Sequence, residues 1–211
     1  LKLGERAEGF NELRAIARST SDAAVLREIA GLAGDAYQVV QLTTGDADNY
    51  SPVFSPDGSL IAFSSYRLDN GEIYLMDPNG HIRQRVTFTT DFNESAPVFL
   101  SNPLYLMYSS EPKSSREVKV TLQSSGSTQI YAGFNVTHIY SKVTHELLPV
   151  GFGVRSPSVS PDGKRVVYES NSEGHLEVYM LDLSGVDLEH IDASAIQPKR
   201  LTQNTVDEGS P

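Results

Sequence analysis

One ordered set of short blocks recurs along this chain. A repeat restricts the fold more than any other feature, because each copy must be one structural unit that buries its faces against the next. The fullest copy runs from Gln41 to Thr87. It reads Leu42-Thr43, an acidic loop, Ser51-Pro52-Val53-Phe54, Ser55-Pro56-Asp57-Gly58, Leu60 to Ser65, Gly71-Glu72-Ile73-Tyr74-Leu75-Met76-Asp77 and Val86-Thr87. From Ser156 the same order returns: Ser156-Pro157-Ser158-Val159, Ser160-Pro161-Asp162-Gly163, Arg165 to Ser170, Leu176 to Asp182, and Leu201-Thr202. A degenerate copy lies between them, with Ala96-Pro97-Val98-Phe99, Leu104 to Ser110 and Gln129-Ile130-Tyr131, its turn drifted to Leu100-Ser101-Asn102-Pro103.

The marker prolines Pro52, Pro97, Pro157 and Pro211 are 45, 60 and 54 residues apart, the period of a four-stranded blade with insertions in the later copies. Short runs of β-branched and aromatic residues, such as Val53-Phe54, Ile61 to Phe63 and Ile73 to Leu75, suit strands buried between sheets. Pro-Asp-Gly presets φ, bonds the backbone ahead and takes positive φ, so it makes the first hairpin. Asp69-Asn70-Gly71 and Asp77-Pro78-Asn79-Gly80 supply the next two turns. Equivalent placement is expected for Pro52, Pro97 and Pro157 at the starts of innermost strands, and for Tyr74, Tyr131 and Tyr179 on third strands.

This combination resembles the TolB-like (PD40, WD40-like) β-propeller repeat, over about Tyr37 to Pro211. The resemblance implies an all-β fold, an incomplete propeller of about three four-stranded blades, preceded by a short helical segment. The expected division is a helical segment at 1–35 and a propeller at 36–211, with blades at about 44–87, 88–149 and 150–202 and a further blade beginning at 203–211. Tyr37 to Leu42 reads as the outermost strand of another blade, and Asp207 to Pro211 matches Asp48 to Pro52 at the entry of a copy. Closing a ring takes about four blades at least. A fragment or ordered part of a longer protein is therefore expected, or an arc closed by a partner.

Ahead of the repeats, Phe10, Leu13 and Ile16 recur at spacings of three within Glu5 to Ala17. Ser21 or Asp22 can cap a second segment carrying Val25, Leu26, Ile29 and Leu32, ended by Gly34. The reading is two short helices packing on the propeller or on each other, or else a docking element or the tail of an upstream helical repeat.

Several function classes are set aside by composition. A formal charge of −10, with 17 Lys and Arg that form no run, argues against nucleic acid as a partner. No apolar stretch approaches the roughly 18 residues of a membrane span. Without cysteine, disulfides and thiolate metal sites are ruled out, but no compartment is chosen.

The search for chemistry is as short. No Gly-x-Ser-x-Gly nucleophile elbow occurs. His145-Glu146-Leu147-Leu148-Pro149 starts like a zinc-peptidase motif but carries Pro149 where the second histidine belongs. His81, His138, His175 and His190 lack ligand spacing, and Gly151-Phe152-Gly153 lacks the third glycine of a dinucleotide loop. Asp46-Ala47-Asp48-Asn49 gathers oxygens without the Gly and Glu of a calcium loop. Asp48, Asn93 and Asp207, each four residues before its proline, are expected to cap turns instead. No catalytic residue, cofactor or metal is expected.

Two inserts stand outside the repeat, Glu111 to Ser127 and Ser184 to Pro198, and inserts on repeat arrays often form the binding face. Folding back on themselves is their other reading. Candidate partner contacts are Phe10, Leu13 and Ile16 in the helical segment and Val186, Leu188, Ile191 and Ile196 in the second insert. The resemblance implies a non-catalytic protein-binding module in a periplasmic or otherwise extracytoplasmic place, an accessory or scaffold subunit whose protein partner is a larger membrane-associated complex. The alternative it leaves is the non-catalytic propeller of a serine peptidase, or a small-ligand-binding or lyase propeller.

Overall fold

Twelve strands form three four-stranded antiparallel sheets in the computed structural model, which describes residues 12–13, 15–16, 19–32, 39–113, 132–173 and 175–203. The first sheet holds β1 (Asn49–Phe54), β2 (Ile61–Ser65), β3 (Glu72–Met76) and β4 (Ile82–Arg85). In the second are β5 (Phe92–Phe99), β6 (Tyr105–Pro112), β7 (Gly133–His138) and β8 (Thr144–Leu148). β9 (Val154–Val159), β10 (Arg165–Ser170), β11 (Glu177–Asp182) and β12 (Lys199–Arg200) make the third. Each sheet is a meander in chain order, and the first strands lie together, β1 against β5 and β5 against β9. The fold is therefore an incomplete propeller of three blades.

The chain divides into two compact units, Leu1–Gln41 and Leu42–Pro211. In the first, helix α1 spans Ala23–Leu32. Asp22 caps it, its carboxylate accepting from Ala24 N at 2.8 Å and its carbonyl from Leu26 N at 3.0 Å. Phe10 and Gly34 lie outside the described residues, as do Tyr37 and Gln38, and Val39 to Leu42 carries no strand.

The marker prolines are equivalent, but they do not start the strands. Ser51, Ala96 and Ser156, each just before its proline, have φ of 49°, 49° and 50°. Each Xaa-Pro pair stands opposite one residue of the second strand, Phe63, Tyr108 or Tyr168, where the register shifts. Proline cannot donate to a ladder and forces its predecessor away from ordinary strand geometry, and a bulge of two residues against one absorbs both effects. The repeated Ser-Pro is thus a bulge signal within the innermost strand.

The turns behave as their chemistry demands. Ser55 Oγ donates to Asp57 at 2.6 Å and accepts from Leu60 N at 2.9 Å, while Gly58, at φ 72°, donates its N–H to the Ser55 carbonyl at 2.8 Å. Ser160, Asp162 and Gly163 repeat this contact for contact, at 2.5, 2.9 and 2.7 Å. The Ser55 hydroxyl, with help from Ser59, holds the Asp57 carboxyl down to about 2.

The second sheet sends alternate residues to its two neighbours. Ala62, Ile73, Leu75 and Val86 of the first pack with Phe99, Leu106, Tyr108 and Ile139 of the second. Met107, Phe134 and Val136 of the second pack with Val166, Tyr168, Tyr179 and Leu181 of the third. The Phe134 and Tyr168 rings meet edge to face at 5.2 Å.

A polar clasp fastens the outer strands. Arg85 Nη2 reaches Glu72 Oε1 at 2.5 Å, Arg85 Nε donates to the Thr87 carbonyl at 2.7 Å, and Thr87 Oγ1 donates to Glu72 Oε2. The same Thr87 hydroxyl accepts from Ile73 N at 2.9 Å, so it extends the ladder past the end of β4. Glu177, Arg200 and Thr202 repeat the clasp in the third sheet, with Val178 N donating to Thr202 Oγ1 at 2.9 Å. Glu72 and Glu177 are fully buried, which their partners make tolerable.

By register the second sheet places Gly133, Glu146 and Leu148 where the others hold Glu, Arg and Thr, because Asn135 faces Glu146 as Tyr74 faces Arg85 and Tyr179 faces Arg200. Asn135, not Tyr131, is therefore the counterpart of Tyr74 and Tyr179; Tyr131 itself lies outside the described residues. The clasp is replaced by close backbone contact, since a Cβ on Gly133 would stand 2.4 Å from the Leu148 carbonyl oxygen and 2.7 Å from Val150 N. Gly133→Ala is expected to cost about 1–3 kcal/mol. Gly133→Glu, although it restores the residue of the other sheets, should cost more. Urea unfolding checks both, and an unchanged midpoint for Gly133→Ala would contradict this close approach.

Candidate interaction surfaces

Exposed apolar side chains gather where β5 turns into β6 and β7 into β8. The β7–β8 turn is locked by its own backbone: His138 N donates to the Val143 carbonyl at 3.0 Å, and Lys142 N, at φ 60°, to the His138 carbonyl at 3.0 Å. Ile139 N donates to the Leu104 carbonyl at 2.8 Å, and Gln84 Nε2 of the first sheet to the Ile139 carbonyl at 2.9 Å. Two blades thus hold one turn. It presents Tyr140 and Val143, 65% and 52% exposed, beside Leu104 at 38%.

Behind them the His138 ring lies edge-on between Tyr105, at 5.0 Å, and Tyr140, at 6.1 Å. Burial raises the Tyr105 phenol, and the charges of Glu189 and Asp187 raise it further, which brings the insert's acidic turn to this aromatic row. Lys142 is lowered by burial, and its ammonium donates to the Ile139 carbonyl. The assembled surface is an apolar and aromatic patch on a rigid turn with carboxylates beside it, a composition suited to protein contact.

The insert from Ser184 to Pro198 turns inward. Ile196 is buried in the cluster between the second and third sheets, and Val186, Leu188 and Ile191 pack against it. Their apolar side chains pack within the chain's own core, Ile196 fully and the other three in part. Asp192 caps a 3-10 turn at Ala193–Ala195 that keeps the loop folded. In the helical unit Ile16 is half exposed and Leu13 partly buried. Glu111 and Pro112 close β6, while residues 114–127 of that insert lie outside the described residues.

The remaining polar candidates fall in place as structural groups. Asn93 Oδ1 accepts from Gly71 N at 3.1 Å, and the Asp48 carbonyl from Tyr66 N at 3.0 Å; Asp207 is outside the described residues. His145 sits on strand β8 rather than a helix. Among the described residues no group of three or more His, Asp or Glu side chains converges as a metal site would require. No described helix is long and apolar enough to cross a membrane.

Sequence reasoning missed Leu104, Tyr140 and Val143. Placing the third strand around Tyr131 left no turn at Tyr140, and Ile139-Tyr140-Ser141-Lys142 carries neither Gly, Pro nor Asn to announce one.

No family model matches the chain. Its sequence is 28% identical over 158 residues to the protein TolB homolog of Chlorobium luteolum, an alignment that covers 74% of this chain and 32% of that protein. The structure superposes on the crystal structure of TolB from Acinetobacter baumannii with a TM-score of 0.59 at 18% identity, covering 82% of this chain and 37% of that one. The chain spans about a third of the length of the relatives it matches. The sequence is thus similar to a TolB homolog, and the superposition shows the fold of a β-propeller shared with a TolB protein.

Proposed function

We propose that the chain is a non-catalytic protein–protein interaction module, an accessory or scaffold part of a bacterial envelope assembly, working in the periplasm or another extracytoplasmic space. Its partner is a protein of a larger membrane-associated complex. The observation that carries this reading is the Leu104, Tyr140 and Val143 patch, apolar yet exposed on a turn that two blades immobilise. Binding through such a turn costs little ordering entropy, and aromatic anchors contribute most of the energy at protein interfaces. The similarity to proteins named TolB supports this choice of compartment.

The test is a photo-reactive phenylalanine analogue at Tyr140 of the full-length protein, irradiated in its own cells. A single envelope protein cross-linked there, and lost when Leu104→Asp and Val143→Asp accompany the probe, is the expected result. Cross-links confined to small molecules, or none, would overturn it. A serine-reactive fluorophosphonate is expected to leave the chain unlabelled, and stoichiometric labelling would favour a hydrolase.

A further inference from the structure

Two carboxylates stand beside the exposed β7–β8 turn. Leu188 packs against the cluster that holds Tyr105 and carries Asp187 and Glu189 on either side, while the 3-10 turn of the same insert lies against β8. Burial raises the Tyr105 phenol first, and the charges of both carboxylates then act on it. Asp187 Oδ1 accepts from Glu189 N at 2.9 Å, which with His190, 3.2 Å from Oδ2, keeps its carboxyl below the ordinary value and therefore ionised. Among the described residues the Glu189 carboxylate makes no ion pair or hydrogen bond. Lys142, within the turn, gives its ammonium to the Ile139 carbonyl, and no described ion pair joins it to either carboxylate.

The second sheet has a described sheet packed on each side, so the exposure of its turn does not depend on what precedes the first sheet or follows the third. Resting on the reading of this patch as a protein contact, we propose that the partner offers it a basic segment: an apolar residue on Leu104, Tyr140 and Val143, flanked by Lys or Arg facing Asp187 and Glu189. The argument is charge complementarity. The two carboxylates border the patch while Lys142 is turned to backbone, and the whole chain carries 27 Asp and Glu against 17 Lys and Arg. Such a field draws in cations and repels an acidic segment. Lys and Arg also suit the mixed surface, because their stems cover apolar and aromatic side chains while the charged head reaches a carboxylate.

The probes are two fluorescein-labelled, end-blocked peptides, Arg-Arg-Leu-Phe-Arg-Arg and Glu-Glu-Leu-Phe-Glu-Glu, titrated with the full-length protein and followed by anisotropy. The basic peptide is expected to bind and the acidic one not. Asp187→Asn with Glu189→Gln should weaken the basic peptide about fivefold, the size of two exposed charge pairs. Asp46→Asn with Asp69→Asn removes the same charge from exposed positions on or beside the first sheet, and should leave binding unchanged. Equal weakening by both pairs, an acidic peptide that binds as tightly, or no binding of the basic one overturns the proposal. Cross-linking from Tyr140 in cells separates it from the reading on which it rests. A protein cross-link that Asp187→Lys with Glu189→Lys leaves intact sinks the basic partner alone, whereas one abolished by that pair and kept in Asp46→Lys with Asp69→Lys supports it.

Discussion

Glu72→Ala is expected to lower the free energy of unfolding by about 3–5 kcal/mol, the usual cost of breaking a buried ion pair by removing one partner. Glu72 accepts from Arg85 at 2.5 Å, from Asn70 Nδ2 at 2.9 Å and from Thr87, with no exposure to water. Alanine takes the acceptor from Arg85 Nη2 and from the Thr87 hydroxyl that caps the ladder at Ile73, while Asn70 Nδ2 keeps the Thr89 and Phe92 carbonyls. Glu72→Gln keeps the size and one acceptor, so about half that loss is expected. Equilibrium urea unfolding measures both. A Glu72→Ala variant within 0.5 kcal/mol of the parent, on the scale of about 1 kcal/mol for an ordinary hydrogen bond, would show that the clasp is ornament rather than fastening.

A second large effect is expected from pH. Glu94, on β5, is fully buried between the first two sheets. Burial raises its carboxyl from 4.5 to about 7, the Glu72 charge adds to this, and donors from Thr89 at 2.8 Å and Ser110 at 3.4 Å pull the other way. A carboxyl whose folded value is raised favours the neutral form. Its contribution is therefore complete below about 4.5 and is lost as pH rises through about 7. Across that window stability should fall by about 3 kcal/mol, at roughly 1.36 kcal/mol for each unit of difference. Asp77, Asp162 and Asp182 are held below their ordinary value, so they act only on the acid side. Unfolding free energies at pH 5 and pH 8 test this against Glu94→Gln, which should flatten the slope. Equal slopes in parent and variant would assign the titration elsewhere.

The repeat, the three-blade count, the Ser-Pro-Asp-Gly hairpins and the Asp22 cap were legible because each rests on neighbours in sequence. Gly58 and Gly163 have to take positive φ, and Ser55 and Ser160 sit within reach of their aspartates. The clasp was not legible: Glu72 and Thr87 meet across fifteen residues, Glu177 and Thr202 across twenty-five, and only strand pairing brings them together. Where the second sheet replaces all three clasp residues, the remaining marker was a tyrosine four residues out of register. A spacing of apolar residues also fails to say what covers them. Val186, Leu188, Ile191 and Ile196 read equally well as contacts or as self-packing, and their packing against the second and third sheets depends on residues distant in sequence.

The central claim is that three sheets are copies of one blade in one register, including the sheet whose markers have drifted. A cysteine pair measures this directly. Asn135→Cys with Glu146→Cys joins Cα partners on β7 and β8, and directly opposed strand residues lie near the separation of about 4.4–6.8 Å that a disulfide requires. The predicted result is rapid oxidation of this pair in the folded protein and none of Tyr131→Cys with Glu146→Cys. Oxidation of the Tyr131 pair instead would place the third strand four residues earlier and contradict the equivalence of the blades.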